Sequence, residues 1–185
     1  MTHGAGSNAD APLLVAVASA FEQAGFRVVR HTLRFRVAKP KGPPHPKDGE
    51  KDQAGLYDAV IQLRREGCQK VYLGGHSYGG RQASILASTH PGLMAALLLL
   101  SYPLHPPEKP DQLRTAHFPL LRTPSLFFQG TKDPFGTEKE LKEALKLIPG
   151  RKELVMMEGE GHDLGRSKPA FAKKCLDRFQ HFIAE

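Results

Sequence analysis

The sequence predicts an α/β fold: one domain, residues 1–185, on a mostly parallel sheet with helices on both faces. Three observations carry this. Strand-like and helix-like patterns alternate five times, as they do when crossover helices join parallel strands. Residues 96–101 are apolar as far as the closing Ser101, which suits a strand buried on both faces. The composition, 40% apolar and 24% charged over 185 residues, is that of a globular domain with a real core. It excludes a disordered or coiled-coil chain.

The elements follow in order. Leu13, Leu14, Val17, Ala18 and Phe21 keep helical spacing, with Asp10 as N-cap, Pro12 in the first turn and Gly25 at the exit. Residues 27–32 read as a strand, and 38–48 as a proline-rich loop. Leu56, Val60 and Leu63 mark a second helix that ends at Gly67. Residues 71–74 form a short strand, and 79–89 a helix that stops before His90-Pro91. After the apolar strand, the long connection 103–119 is expected to lie over the site. Residues 125–129 are a strand, and Thr137 with Glu140 forms a capping box for the next helix. Residues 153–157 are the following strand, and Phe171, Cys175, Phe179 and Phe182 place an apolar stripe on a C-terminal helix.

The formal net charge is +7, and seven Lys or Arg residues fall between Arg27 and Lys47 with no acid among them. Such a run can bind nucleic acid or steer an anionic substrate. With Phe35 as its one aromatic and no nucleic-acid motif beside it, the run reads as a solvated edge and loop, so nucleic acid is not an expected partner. Arg34, Arg36, Lys39 and Lys41 follow a strand end and are expected to bias a nearby site toward anions. Two cysteines, Cys68 and Cys175, make neither a disulfide framework nor a cysteine zinc site, which places the chain in a reduced, cytoplasmic setting. The longest apolar run is too short for a bilayer, so no membrane partner is expected.

The chemistry concentrates at Gly75-His76-Ser77-Tyr78-Gly79 and Gly80, a G-x-S-x-G elbow between a strand and a helix. A serine on so sharp a turn needs neighbours without Cβ atoms, and the turn exposes its hydroxyl beside helix amides. A hydroxyl attacks only when a base takes its proton, and the base needs an acid to orient it. Asp133 and His162 follow in that order, each in a loop just after a predicted strand. Ser77, Asp133 and His162 are therefore the candidate catalytic residues. An oxyanion would be held by two backbone amides, Tyr78 N–H and Ala5 N–H of His3-Gly4-Ala5-Gly6. His105 and His117 flank the long connection and are candidates to line the mouth for substrate. His76 reads as a packed, hydrogen-bonded residue. No metal-ligand spacing and no cofactor motif is present, so none is expected.

These residues resemble the α/β-hydrolase superfamily, and within it the dienelactone-hydrolase-like branch that includes testis-expressed protein thirty and the NSL-complex regulatory subunit three. The matching pieces are Thr2-His3-Gly4-Ala5-Gly6-Ser7-Asn8, Gly74 to Arg81, Tyr102-Pro103-Leu104-His105-Pro106-Pro107, Gly130 to Gly136, and Gly161-His162. The resemblance implies a Ser-Asp-His hydrolase core with a minimal lid, an esterase-like function and a small-molecule ester substrate. Dienelactone hydrolases carry a cysteine nucleophile where this chain has Ser77. Some members of the branch act as non-enzymatic scaffolds, so a non-catalytic interaction module is the alternative. In this superfamily the His-Gly loop follows a buried central strand. The chain starts at Met1-Thr2, so that strand is expected to be missing through truncation or a mis-assigned start.

Overall fold

The structure, a computed structural model, describes residues 1–165 and 169–184. Four strands form one sheet: β1 (Tyr72–His76), β2 (Ala96–Leu100), β3 (Ser125–Gly130) and β4 (Lys152–Met157). Their order is β1-β2-β3-β4, and each neighbouring pair is parallel. The helices are α1 (Pro12–Gln23), α2 (Arg34–Ala38), α3 (Asp48–Arg65), α4 (Tyr78–Thr89), α5 (Glu138–Leu145) and α6 (Pro169–Ala184).

The all-apolar stretch at β2 is explained by its place. Ala96, Leu98 and Leu100 pack with Leu13, Val17 and Phe21 of α1 and Phe171, Cys175, Phe179 and Phe182 of α6. Leu97 and Leu99 point the other way, into a cluster with Leu56 and Val60 of α3, Leu86 of α4 and Leu141 of α5. A central strand with a helix layer on each face has no polar side to spare. Each fully buried leucine contributes ~1.5–3 kcal/mol to holding the two layers on the sheet.

Helix ends match the sequence signals unevenly. Thr137 and Glu140 form the reciprocal capping box at α5. At α1, Pro12 opens the helix but Ala11, not Asp10, is the N-cap. The Asp10 carboxylate is 2.7 Å from the Arg30 guanidinium instead. Helix α2 carries no sequence signal, and its first-turn amide at Phe35 is satisfied by Asp52 of α3, 2.9 Å away.

Residues 27–32 do not form a strand; only His31 makes a bridge. A strand needs a ladder, and this stretch makes a single bridge. Thr2 bridges His31 on one side and Gly75 on the other, both parallel. His31 N–H donates to Met1 O at 2.8 Å, Thr2 N–H to Gly74 O at 2.9 Å and His76 N–H to Thr2 O at 3.0 Å. Met1 and Thr2 thus occupy the position between residues 29–31 and β1. The sheet does not close up around that position, and the loop that follows Thr2 stays beside the end of β1.

Candidate active site

The elbow is built by close backbone approach. Ser77 lies between β1 and α4 at φ 51°, ψ −120°, a conformation that costs a non-glycine residue ~1–3 kcal/mol. The surroundings impose it. Ser77 N–H donates to Leu100 O at 2.8 Å, and Ser77 O accepts Arg81 N–H at 3.0 Å. A Cβ on Gly75 would lie 2.5 Å from Gly80 N, and one on Gly79 2.5 Å from His3 O. The glycines are what let the chain turn back on itself.

Three side chains converge there from the carboxyl ends of three strands. Ser77 Oγ is 2.8 Å from His162 Nε2, and His162 Nδ1 is 2.8 Å from Asp133 Oδ2. The Asp133 side chain is fully buried, yet each oxygen is satisfied. Gln129 Nε2 donates to Oδ2 at 2.8 Å and Phe135 N–H to Oδ1 at 2.9 Å. A carboxylate only accepts, so the His162 proton sits on Nδ1 and Nε2 is left to accept the Ser77 hydroxyl. The His162 ring packs on Phe135, centroids 4.3 Å apart. His76 Nε2 donates to the His162 carbonyl at 2.8 Å. Burial pulls the His76 pKa down to about 4, so that ring is neutral and available as a donor.

The N-terminal loop faces this trio. Gly4 O accepts His3 Nδ1–H at 2.8 Å and Ser7 N–H at 3.3 Å. A trans peptide points its carbonyl and its amide in opposite directions, so Ala5 N–H is turned away from those bonds. Ala5 lines a cleft of about 460 Å³ together with Ser77, Tyr78, Arg81, Arg114, Pro103 and Phe135. Two residues outside the expected catalytic and oxyanion set hold the loop and the Tyr78 ring. Arg36 donates to Ala5 O at 2.5 Å and to Ser7 O at 3.0 Å. Asp52 is buried and accepts Tyr78 Oη–H at 2.8 Å. An acid on the apolar stripe Asp52, Leu56, Val60 was the available sign of a buried polar contact.

The structure does not bring His105 and His117 to the mouth, where the sequence placed them; neither lines the cleft. His105 is buried, with Nδ1 donating to Pro106 O at 2.7 Å and Nε2 3.4 Å from Glu140. His117 is 2.8 Å from Ser84 Oγ and edge-on to Phe118. Burial and the Arg81 charge hold its pKa at about 4. Both rings pack the long connection onto helices, and burial keeps the hydrogen-bonded His117 imidazole neutral. The basic run is also largely committed. Arg27 pairs with Glu66, Arg30 with Asp10 and Arg34 with Asp58, while Arg36 binds backbone carbonyls. Among the described residues, no cluster of three or more metal-ligating side chains occurs, and no helix is long and apolar enough to cross a membrane.

The comparisons agree on the class. A family described as an alpha/beta hydrolase domain matches residues 1–182, so the chain belongs to that family. Its fold is the α/β-hydrolase fold, a parallel four-stranded sheet flanked by helices. Among solved structures, a dienelactone hydrolase from Anabaena variabilis superposes with a TM-score of 0.75 at 22% identity, covering 99% of this chain and 83% of that one. Est1E from Butyrivibrio proteoclasticus with bound ferulic acid gives 0.79 at 16%, covering 100% and 88%. An alpha-beta serine hydrolase homologue from Coxiella burnetii gives 0.71 at 18%, covering 99% and 82%.

Proposed function

We propose that the protein is an esterase-like serine hydrolase acting on a small-molecule ester or a related acyl compound. The observation that carries this is the unbroken hydrogen-bonded line Ser77–His162–Asp133, at 2.8 Å for each link, with its serine held in a strained elbow. In this reading Ser77 Oγ bonds to the acyl carbon while its proton passes to His162 Nε2. Tyr78 and Ala5 N–H groups receive the oxyanion. Collapse breaks the bond to the alcohol, which leaves with the proton from His162. Water, deprotonated by His162, then releases the acid and restores Ser77. Asp133 stays ionised and holds the ring in its tautomer.

The motifs around His3-Gly4, Ser77 and Asp133 support a place in the dienelactone-hydrolase-like branch, near testis-expressed protein thirty and the NSL-complex regulatory subunit three. Two free cysteines, one in the core, support a reduced cytoplasmic setting. Labelling with a fluorophosphonate probe and mapping the adduct tests the function. Modification of Ser77 alone is expected. An inert Ser77 would instead favour the non-catalytic interaction module.

A further inference from the structure

We propose that the ester cleaved at Ser77 carries a carboxylate, and that Arg81 and Arg114 receive it. This rests on the hydrolase reading and names its substrate class. Both arginines line the cleft that Ser77 opens into. Arg81 lies one turn along α4 from Ser77, and its N–H donates to Ser77 O at 3.0 Å. Arg114 belongs to the connection between β2 and β3 and lines the cleft beside Pro103. Burial and the Arg81 charge together hold the Arg114 guanidinium below its usual pKa range.

Neither charge is neutralised. Among the described residues no carboxylate pairs with Arg81 or Arg114. The acid that lines the cleft, Glu50, pairs with neither. Arg81 Nε is buried without a hydrogen-bond partner. The Arg114 guanidinium makes one long bond, Nη1 to Pro103 O at 3.3 Å. By contrast, Arg36 donates to four backbone carbonyls and Arg34 pairs with Asp58. Two half-buried guanidiniums facing one cleft repel each other and lose hydration, and an anion between them reverses both costs. The planar fork of a guanidinium matches a carboxylate with two parallel bonds. A neutral ester leaves that potential unused.

The test compares matched esters, one with the charge on the acyl side and one with it on the alcohol side. The first pair is 4-nitrophenyl hydrogen suberate against 4-nitrophenyl octanoate. The second is 4-acetoxybenzoate against phenyl acetate. In one pair kcat/KM should favour the carboxylate by about tenfold or more, the usual worth of charge-assisted bonds. Arg81→Gln and Arg114→Gln should each lower that preference about tenfold, and Arg81→Lys should keep part of it. Equal kcat/KM within both pairs, or a preference untouched by either variant, overturns the proposal. Binding is read apart from turnover by thermal shift with suberate, which should stabilise the wild-type protein and not the Gln variants. Fluorophosphonate labelling separates the two readings. Ser77 labelled with no carboxylate preference and no suberate shift rejects the arginine site alone. Ser77 unlabelled rejects the hydrolase reading, and the suberate shift still decides the anion site.

Discussion

His76 donates its Nε2 proton to the main-chain carbonyl of His162 at 2.8 Å, so the residue before the nucleophile holds the backbone of the base. The two rings also pack together, tilted by 49° with centroids 5.1 Å apart. His76 does not line the cleft and acts through His162 as a positioning residue. His76→Phe keeps the ring and removes the donor. It should lower kcat about tenfold with little change in KM, because small misplacements of a reacting group are costly. Equal kcat in the variant would show the bond to be structural only.

Asp133→Asn should be more damaging than its change in shape suggests. The amide cannot accept from His162, Gln129 and Phe135 N–H together and offers a donor where His162 needs an acceptor. The tautomer of His162 would reverse. A loss of about 10⁴-fold in kcat is expected, with Ser77→Ala equally inactive, since such groups act as a unit. Steady-state hydrolysis of an aryl acetate measures both.

Acid should destabilise the fold well before carboxylates titrate. His76 and His117 are held neutral, with pKa values of about 4 against an ordinary 6.5. The unfolded chain takes up protons on both rings as pH falls through about 6.5, while the folded chain does not until about 4. Stability is therefore full above that window and lost as pH falls through it, on the order of 3 kcal/mol per ring at its lower end. His117→Gln can still bond Ser84 and should flatten the dependence of Tm on pH between about 6.5 and 4. An unchanged slope would exclude His117 as a source.

Two glycine substitutions should behave oppositely. Gly79→Ala places a Cβ 2.5 Å from the His3 carbonyl, a backbone atom that cannot swing aside. Gly6→Ala meets nothing within 4 Å. The first should lower Tm by several degrees and slow probe labelling, through the loop that carries Ala5. The second should leave both near wild type. Thermal melts of the pair suffice.

How much of this was readable follows the range of the interactions. Ser77, Asp133 and His162 each sit in a short motif directly after a strand, so sequence order alone placed them together. The capping box of Thr137 and Glu140 is three residues wide and equally visible. Helix α2 was not visible, because the acid that caps it lies 17 residues away. Arg36 looked like part of a charge run, and only the fold aims it at Ala5, 31 residues earlier. Residues 27–32 have strand composition, but composition cannot supply the neighbouring chain that a ladder requires. His105 and His117 were misplaced because an irregular connection has no period from which to read a side chain's direction.

The far end of α6 has a practical meaning. Arg151, the residue before β4, donates to Phe182 O at 2.5 Å and lies 4.0 Å over the Phe182 ring. The loops bearing Asp133 and His162 leave the opposite ends of β3 and β4. A reporter, surface anchor or fusion partner attached behind α6 therefore departs from the back of the molecule, facing away from incoming substrate. For immobilisation on a bead or electrode, the orientation that keeps the cleft open is the one tethered through the last helix.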